Sequence, residues 1–185
     1  SSFVWRREDS AVSEDCLYPT IWSPVAADNL PVMAWFHGGS HTSGQGHSRI
    51  FDGTALAQQG VVVITVNYRL GPFGFLAHPW LSGDAETGAS GNYGLMDKIA
   101  ALQWVKRNAT ALGGDPENVT IFGQSAGSQS VCSLMASGAA RGLFHRAIGQ
   151  SAACVNPLST DDANGYGRGS LLVSALGAKS LTDMR

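Results

Sequence analysis

The sequence predicts an α/β fold, a mostly parallel central sheet flanked by helices, and three observations carry that prediction. Residues 32–36 and 61–66 are nearly continuous apolar runs, as in strands buried on both faces of a sheet. Leu95, Ile99, Leu102 and Val105 recur at i, i+4, i+7 and i+10, which is one face of a helix. Beyond them come a shorter run at 119–122, a helical pattern from about 126 to 135, and a weak run around Ala147 and Ile148. Strand, helix, strand, helix is the order of βαβ units.

Each element has a local reason. Pro31 opens the first strand, where a missing N–H is tolerated. Residues 37–48 hold no aliphatic side chain and read as a loop after a buried strand. Loops at the carboxyl ends of strands build the sites of open α/β sheets. Residues 79–91, rich in Gly and Ser with two acids, read as a solvated surface loop. The first helix must stop before the breaker Gly113-Gly114-Asp115-Pro116. Val131, Leu134 and Met135 give the second helix its apolar face. After the strand near Ile148 the sheet is expected to end in an open edge, a liability for aggregation.

Composition excludes several classes. The 185 residues suit one domain with a packed core. Twelve Lys and Arg against 14 Asp and Glu give a formal charge of −2, no footprint for nucleic acid or an anionic membrane. The longest apolar run, 61–66, is far shorter than the roughly 18 residues of a membrane span. Cys16, Cys132 and Cys154 are too few and scattered for a disulfide scaffold or a zinc site. His37, His41 and His47 share one loop without a cysteine, and the first acid after them is Asp52, so no metal or cofactor is called for. Asn108-Ala109-Thr110 and Asn118-Val119-Thr120 match the glycosylation pattern and are read as chance matches. Residues 1–9 lack an initiator Met and a hydrophobic core of a signal peptide, so the chain reads as a piece of something longer, of undetermined compartment.

The sharpest signal is Gly123-Gln124-Ser125-Ala126-Gly127, between a strand and a helical pattern. G-x-S-x-G in that context describes a nucleophile elbow, a sharp turn that strains the serine and exposes its hydroxyl. The flanking glycines leave room where side chains would collide, and the helix start points free amides at developing negative charge. Acyl transfer also needs preorganised donors for the tetrahedral oxyanion. His37-Gly38-Gly39-Ser40-His41, directly after a strand, supplies them by backbone N–H, with a further one from Ala126.

With these motifs the chain resembles the N-terminal part of a type-B carboxylesterase/lipase, the family of cholinesterases and bacterial carboxylesterases. Other matching stretches are Ser13-Glu14-Asp15-Cys16-Leu17-Tyr18, Trp35-Phe36-His37-Gly38-Gly39 and Asn67-Tyr68-Arg69-Leu70-Gly71-Pro72-Phe73-Gly74-Phe75-Leu76. Gly91-Asn92-Tyr93-Gly94-Leu95-Met96-Asp97, Ala101-Leu102-Gln103-Trp104-Val105 and Gly113-Gly114-Asp115-Pro116-Glu117-Asn118-Val119-Thr120 complete the series, in one order up to about Cys154.

The resemblance implies an α/β-hydrolase fold, with residues 1–185 as the N-terminal part of one catalytic domain. It implies Ser125 as the acyl-accepting nucleophile and Gly39, Ser40 and Ala126 as oxyanion donors, with a small-molecule ester as substrate and no cofactor or metal. Many relatives carry glycine where Ser40 stands. The family's triad runs Ser, acid, His in chain order. After Ser125 come Asp161, Asp162 and Asp183, but the one histidine, His145, precedes them and lies in a stretch that is structural in the family. The triad acid and histidine are therefore expected in a further C-terminal portion that this chain requires. Glu14 and the pair Arg69–Asp97 match buried structural ion pairs. Gln124 replaces a common Glu, which weakens the case for a cationic substrate. Cys16 and Cys154 match bridged cysteines of secreted relatives, but Ala178 holds the expected partner position of Cys154, so free thiols are expected for Cys16, Cys132 and Cys154. The competing reading is a catalytically inactive binding or adhesion member, or an inert fragment of the same fold.

Overall fold

The computed structural model describes residues 13–155 and 165–184. Asp161 and Asp162 lie outside the described residues. A five-stranded sheet runs in the order β1-β3-β2-β4-β5. Its strands are β1 (Pro19–Trp22), β2 (Leu30–Phe36), β3 (Val62–Val66), β4 (Gly114–Gln124) and β5 (Arg146–Gln150). β1 pairs antiparallel with β3, and every other neighbour pair is parallel. The apolar runs thus become the central strands: Ala34 of β2 lies between Ile64 of β3 and Ile121 of β4.

Alternation along β2 divides the sheet's two faces. Val32, Ala34 and Phe36 turn to a core shared with Val62, Ile64, Val66, Val119 and Ile121. Two helices close that core: α4 (Tyr93–Asn108) contributes Leu102 and Val105, and α5 (Ala126–Ala136) contributes Val131 and Leu134. Each of these fully buried aliphatic side chains contributes about 2 kcal/mol by leaving water. Trp35 sits on the opposite face, its ring centroid 4.8 Å from Phe122 and 5.3 Å from Phe51.

Shorter helices line the loops: α1 (Thr54–Ala57), α2 (Gly71–Phe75) and α3 (Pro79–Asp84). The third corrects the expected solvated loop at 79–91. His78 caps α3 by accepting the Trp80 N–H at 3.2 Å, and Pro79 suits the first turn. Ser82 is buried and shares a hydrogen-bond network with Ser90 and with Tyr166, which begins α6 (Tyr166–Leu176). Among the described residues no helix is long and apolar enough to cross a membrane.

Two further expectations are resolved. Arg69 and Asp97 do pair, through two side-chain hydrogen bonds of 2.7 and 2.9 Å and the Arg69 N–H at 2.9 Å. Asp97 is nearly buried but the Arg69 side chain is 42% exposed, so the pair caps the fold rather than lying inside it. Glu14 is exposed and has no ion-pair partner among the described residues, contrary to a buried pair. Both glycosylation-type asparagines are engaged: Asn108 donates to Trp104 O, and the Asn118 side chain accepts from Arg146.

The expectation of free thiols fails for two of the three cysteines. Cys132 and Cys154 form a disulfide with a Cα–Cα distance of 5.3 Å, and Cys16 is free. Because β5 runs parallel to β4 and α5 packs on both strands, the chain leaving β5 passes beside α5, which spacing in sequence does not reveal. Closing a loop of 22 residues restricts the unfolded chain by about 3 kcal/mol. The double variant Cys132→Ser/Cys154→Ser is expected to lose that amount in a urea titration. Dithiothreitol should lower the natural protein to the same midpoint and leave the variant unmoved.

At the other edge of the sheet from β1, the outer side of β5 has no partner strand among the described residues, and Ile148 is exposed.

Candidate active site

Ser125 stands between β4 and α5 with φ 56° and ψ −121°, a left-handed backbone unusual for any residue with a side chain. The turn is held on both sides. The Ser125 N–H donates to Gln150 O at 2.8 Å, and Gln129 N–H closes the first helical turn on Ser125 O at 3.0 Å. Glycine is required next to it. A Cβ on Gly123 would lie 2.5 Å from the Gly127 carbonyl carbon, and one on Gly127 would lie 1.9 Å from Phe36 O. The strand-turn-helix that the motif predicted is therefore a close backbone crossing of β2, β4 and α5.

The end of β2 delivers the second element. A Cβ on Gly38 would come within 3.1 Å of Ser125 Cβ, so the loop 37–48 presses directly on the serine. Gly39, Ser40 and His41 follow with φ of 114°, 55° and 59°. The turn is fixed because Gly39 O accepts the Thr42 and Ser43 amides at 3.0 and 3.1 Å. His41 O accepts the Gly71 amide at 2.6 Å, and the Asn67 side chain accepts Gly46 N–H at 2.7 Å. The backbone strain at Ser40 and His41 persists because these bonds over-determine it.

A cleft of about 640 Å³ joins the parts, lined by Gly39, Ser40, Gln124, Ser125, Gln150 and Ser151, with Trp35, Ile50 and Phe51 as apolar wall. Ala126, the first residue of α5, is buried beside it. The first amides of a helix have no intrahelical acceptor and carry its positive end, so the cleft suits developing negative charge. The structure thus brings together Ser125, Gly39 and Ser40 around one cleft, with Ala126 adjacent. Among the described residues no imidazole hydrogen-bonds to the Ser125 hydroxyl. His145 is committed elsewhere: its Nδ1 accepts Val119 N–H at 3.1 Å and its Nε2 lies 3.5 Å from Glu117. Val119 lies six residues back along β4, about 20 Å from the serine. Asp183 accepts the Lys179 amide at 2.7 Å within its own turn.

Comparison with known proteins identifies the family. The sequence profile of the Carboxylesterase family matches residues 2–182. The chain belongs to that family. Among curated carboxylesterase relatives, the fumonisin B1 esterase of Sphingopyxis macrogoltabida is 50% identical over 161 residues, 84% of this chain and 30% of that enzyme. The para-nitrobenzyl esterase of Bacillus subtilis is 53% identical over 143 residues, 76% of this chain and 28% of that enzyme. Among solved structures, a Geobacillus stearothermophilus carboxylesterase at pH 6.2 superposes with a TM-score of 0.85 at 42% identity, covering 96% of this chain and 37% of that one. The chain spans about a third of the length of the carboxylesterases it matches, and its fold is the corresponding part of an α/β-hydrolase.

Behind the loop of this carboxylesterase chain lies a cluster that the motifs did not announce. His37 is buried, donates from Nδ1 to Gly38 O at 2.8 Å, and stacks on Tyr68 with ring centroids 4.4 Å apart. Tyr68 donates its hydroxyl to His37 O at 2.7 Å. Lys98 is fully buried with its ammonium 3.2 Å from the Tyr68 ring centroid. The signal was available: Lys98 is three residues after Leu95 and four before Leu102, so it lies on the apolar face of α4.

Burial pushes the His37 imidazole down to about 4, aided by the charges of Lys98, His41 and His47 and opposed by its bond to Gly38. Burial and Lys98 likewise push His41 down to about 4. An unfolded histidine takes its proton near pH 6.5. Between that value and about 4 the unfolded chain binds more protons, so stability is full above pH 6.5 and falls as pH drops through the window. His37 alone is expected to cost about 2 kcal/mol between pH 7.5 and pH 4.5. Urea midpoints at the two pH values measure it, and the drop should shrink in His37→Gln.

Proposed function

We propose that this chain carries the nucleophile of a serine hydrolase that cleaves carboxylic esters through an acyl-enzyme on Ser125. The observation that supports it most is the strained Ser125 at the mouth of a cleft, with the Gly38–Gly39 backbone against it. A strained turn costs folding energy and persists where the chemistry uses it. Ser125 Oγ attacks the ester carbonyl, and the carbonyl oxygen becomes an oxyanion held by the amides of Gly39, Ser40 and Ala126. A histidine takes the serine proton and returns it to the leaving alcohol, an acid orients that histidine, and water releases the acyl group. The acid and histidine are assigned to a C-terminal portion of the domain. An uncharged ester fits the cleft, whose wall is Trp35, Ile50 and Phe51 and whose residue beside the serine is the neutral Gln124.

The second reading, an inactive binding member of the family, draws on the absence of an imidazole at Ser125 among the described residues. A fluorophosphonate probe separates the two. In the full-length polypeptide, Ser125 should be covalently labelled, and Ser125→Ala should abolish the label. A folded full-length protein that stays unlabelled would overturn the hydrolase reading.

A further inference from the structure

The pieces are Lys98, Tyr68 and the loop that ends at Ser125. Lys98 has no side-chain exposure, and its Nζ has no hydrogen-bond acceptor among the described residues. It rests 3.2 Å from the Tyr68 ring centroid and 5.5 Å from that of Phe75. His37 stacks on the same tyrosine at 4.4 Å, nearly parallel at 19°. Two groups so close to one centroid cannot share a face, so the ring is held between the ammonium and the imidazole. The tyrosine hydroxyl then grips His37 O, immediately before Gly38 and Gly39.

We propose that Lys98 is a positioning residue, whose buried ammonium fixes Tyr68 and through it the backbone of the loop that supplies the oxyanion donors Gly39 and Ser40. A cation on a desolvated aromatic face is held far more firmly than an uncharged amine. Losing the charge frees the ring, the ring releases His37 O, and the donors drift from the place where the oxyanion forms. The inference rests on the reading of Ser125 as nucleophile.

The surroundings make the charge conditional. Burial lowers the Lys98 pKa to about 7, with Asp97 opposing the shift. Asp97, next to it on α4, is itself tied to Arg69. From the loop, His37 and His41 face the cluster, neutral above about pH 4. The Tyr68 hydroxyl is pushed further above its ordinary value by burial. α2, packed on α4, has no ionisable side chain, and α5 has only the bridged Cys132. The acids of β4, Asp115 and Glu117, sit at its surface end, Glu117 paired with Lys106 and His145. His47, whose charge acts on His37, is exposed, so Lys98 is the buried group of this cluster that changes charge near neutrality.

Hydrolysis of 4-nitrophenyl acetate by the full-length polypeptide tests the idea across pH. Lys98→Met should lower kcat about tenfold at pH 6, where the natural lysine is charged, with KM within about twofold. At pH 9, where that lysine is neutral, the two proteins should converge. Tyr68→Phe should likewise lower kcat at pH 6 and converge with the natural protein at pH 9, and adding Lys98→Met to it should change little further. Lys98→Gln serves if the methionine variant does not fold, judged by its urea midpoint. A kcat ratio constant from pH 6 to pH 9, or independent effects in the double variant, would overturn the proposal. If Ser125→Ala hydrolyses the ester at a rate close to the natural protein's, the nucleophile reading is what fails. If Ser125→Ala is inert and the Lys98 ratio is flat, only this inference fails.

Discussion

Ser125→Ala is expected to reduce ester hydrolysis by the full-length polypeptide about 10⁴- to 10⁶-fold while leaving its urea midpoint unchanged within about 0.5 kcal/mol. The hydroxyl lines an open cleft and makes no hydrogen bond among the described residues, so its removal leaves no buried partner unsatisfied. Alanine keeps a Cβ at a position whose φ of 56° is already imposed by the Ser125 and Gln129 amide bonds. What disappears is the covalent step. On the proposed mechanism the residual rate would come from the loop amides and the helix terminus, which would still stabilise an oxyanion formed by attacking water. A steady-state assay beside a denaturation curve checks both halves. A large loss of stability with the loss of rate would mean that the serine is part of the scaffold.

Gly127→Ala is expected to have the largest effect on folding, at about 4 kcal/mol or more. The new methyl would sit 1.9 Å from Phe36 O, 2.8 Å from the Phe36 carbonyl carbon and 2.9 Å from His37 O. All three are backbone atoms at the end of the central strand β2, so no rotamer change relieves the clash. Either α5 lifts from the sheet, exposing Val131 and Leu134, or β2 moves and takes the 37–48 loop with it. Gly138→Ala is the control: a Cβ there meets nothing within 4 Å, and the expected change is within about 0.5 kcal/mol. Urea midpoints of the two variants make the comparison. Near-equal midpoints would mean that the close crossing at the elbow is absent in solution.

These expectations rest on features that differ in how far the sequence announced them. β2, β3, β4, α4 and α5 were legible because continuous apolar runs and a 3.6-residue period are local properties, and the elbow was legible because a strand, a glycine pair and a helix adjoin in sequence. β1 was not, since its four residues are all half-buried and acquire their role only by pairing with β3. α6 was hidden by Gly167 and Gly169, which lower helix propensity. Gly169 is needed there because a Cβ would fall 1.9 Å from Ala77 O. The α3 cap was readable in the His78-Pro79 pair but was outweighed by the surrounding Gly and Ser. Of the proposed site, Ser125 and Ala126 followed from the motif, while Gly39 and Ser40 were singled out within their loop by the resemblance to type-B carboxylesterases. Lys98 and Tyr68 did not, because their meeting depends on how α4 crosses the chain after β3.

The bridge between Cys132 and Cys154 ties the chain's properties to where it is made. Disulfides persist in oxidising compartments and are kept open where glutathione and thioredoxin hold thiols reduced. A bacterial cytosol and a bacterial periplasm would therefore deliver two proteins of identical sequence that differ by a pair of hydrogen atoms. In the first, the segment carrying Gln150 and Ser151 reaches the cleft held by its hydrogen bonds alone, chiefly Ser125 N–H to Gln150 O. In the second it is anchored covalently to α5. The choice of host is in effect a choice of how firmly one wall of the cleft is fastened.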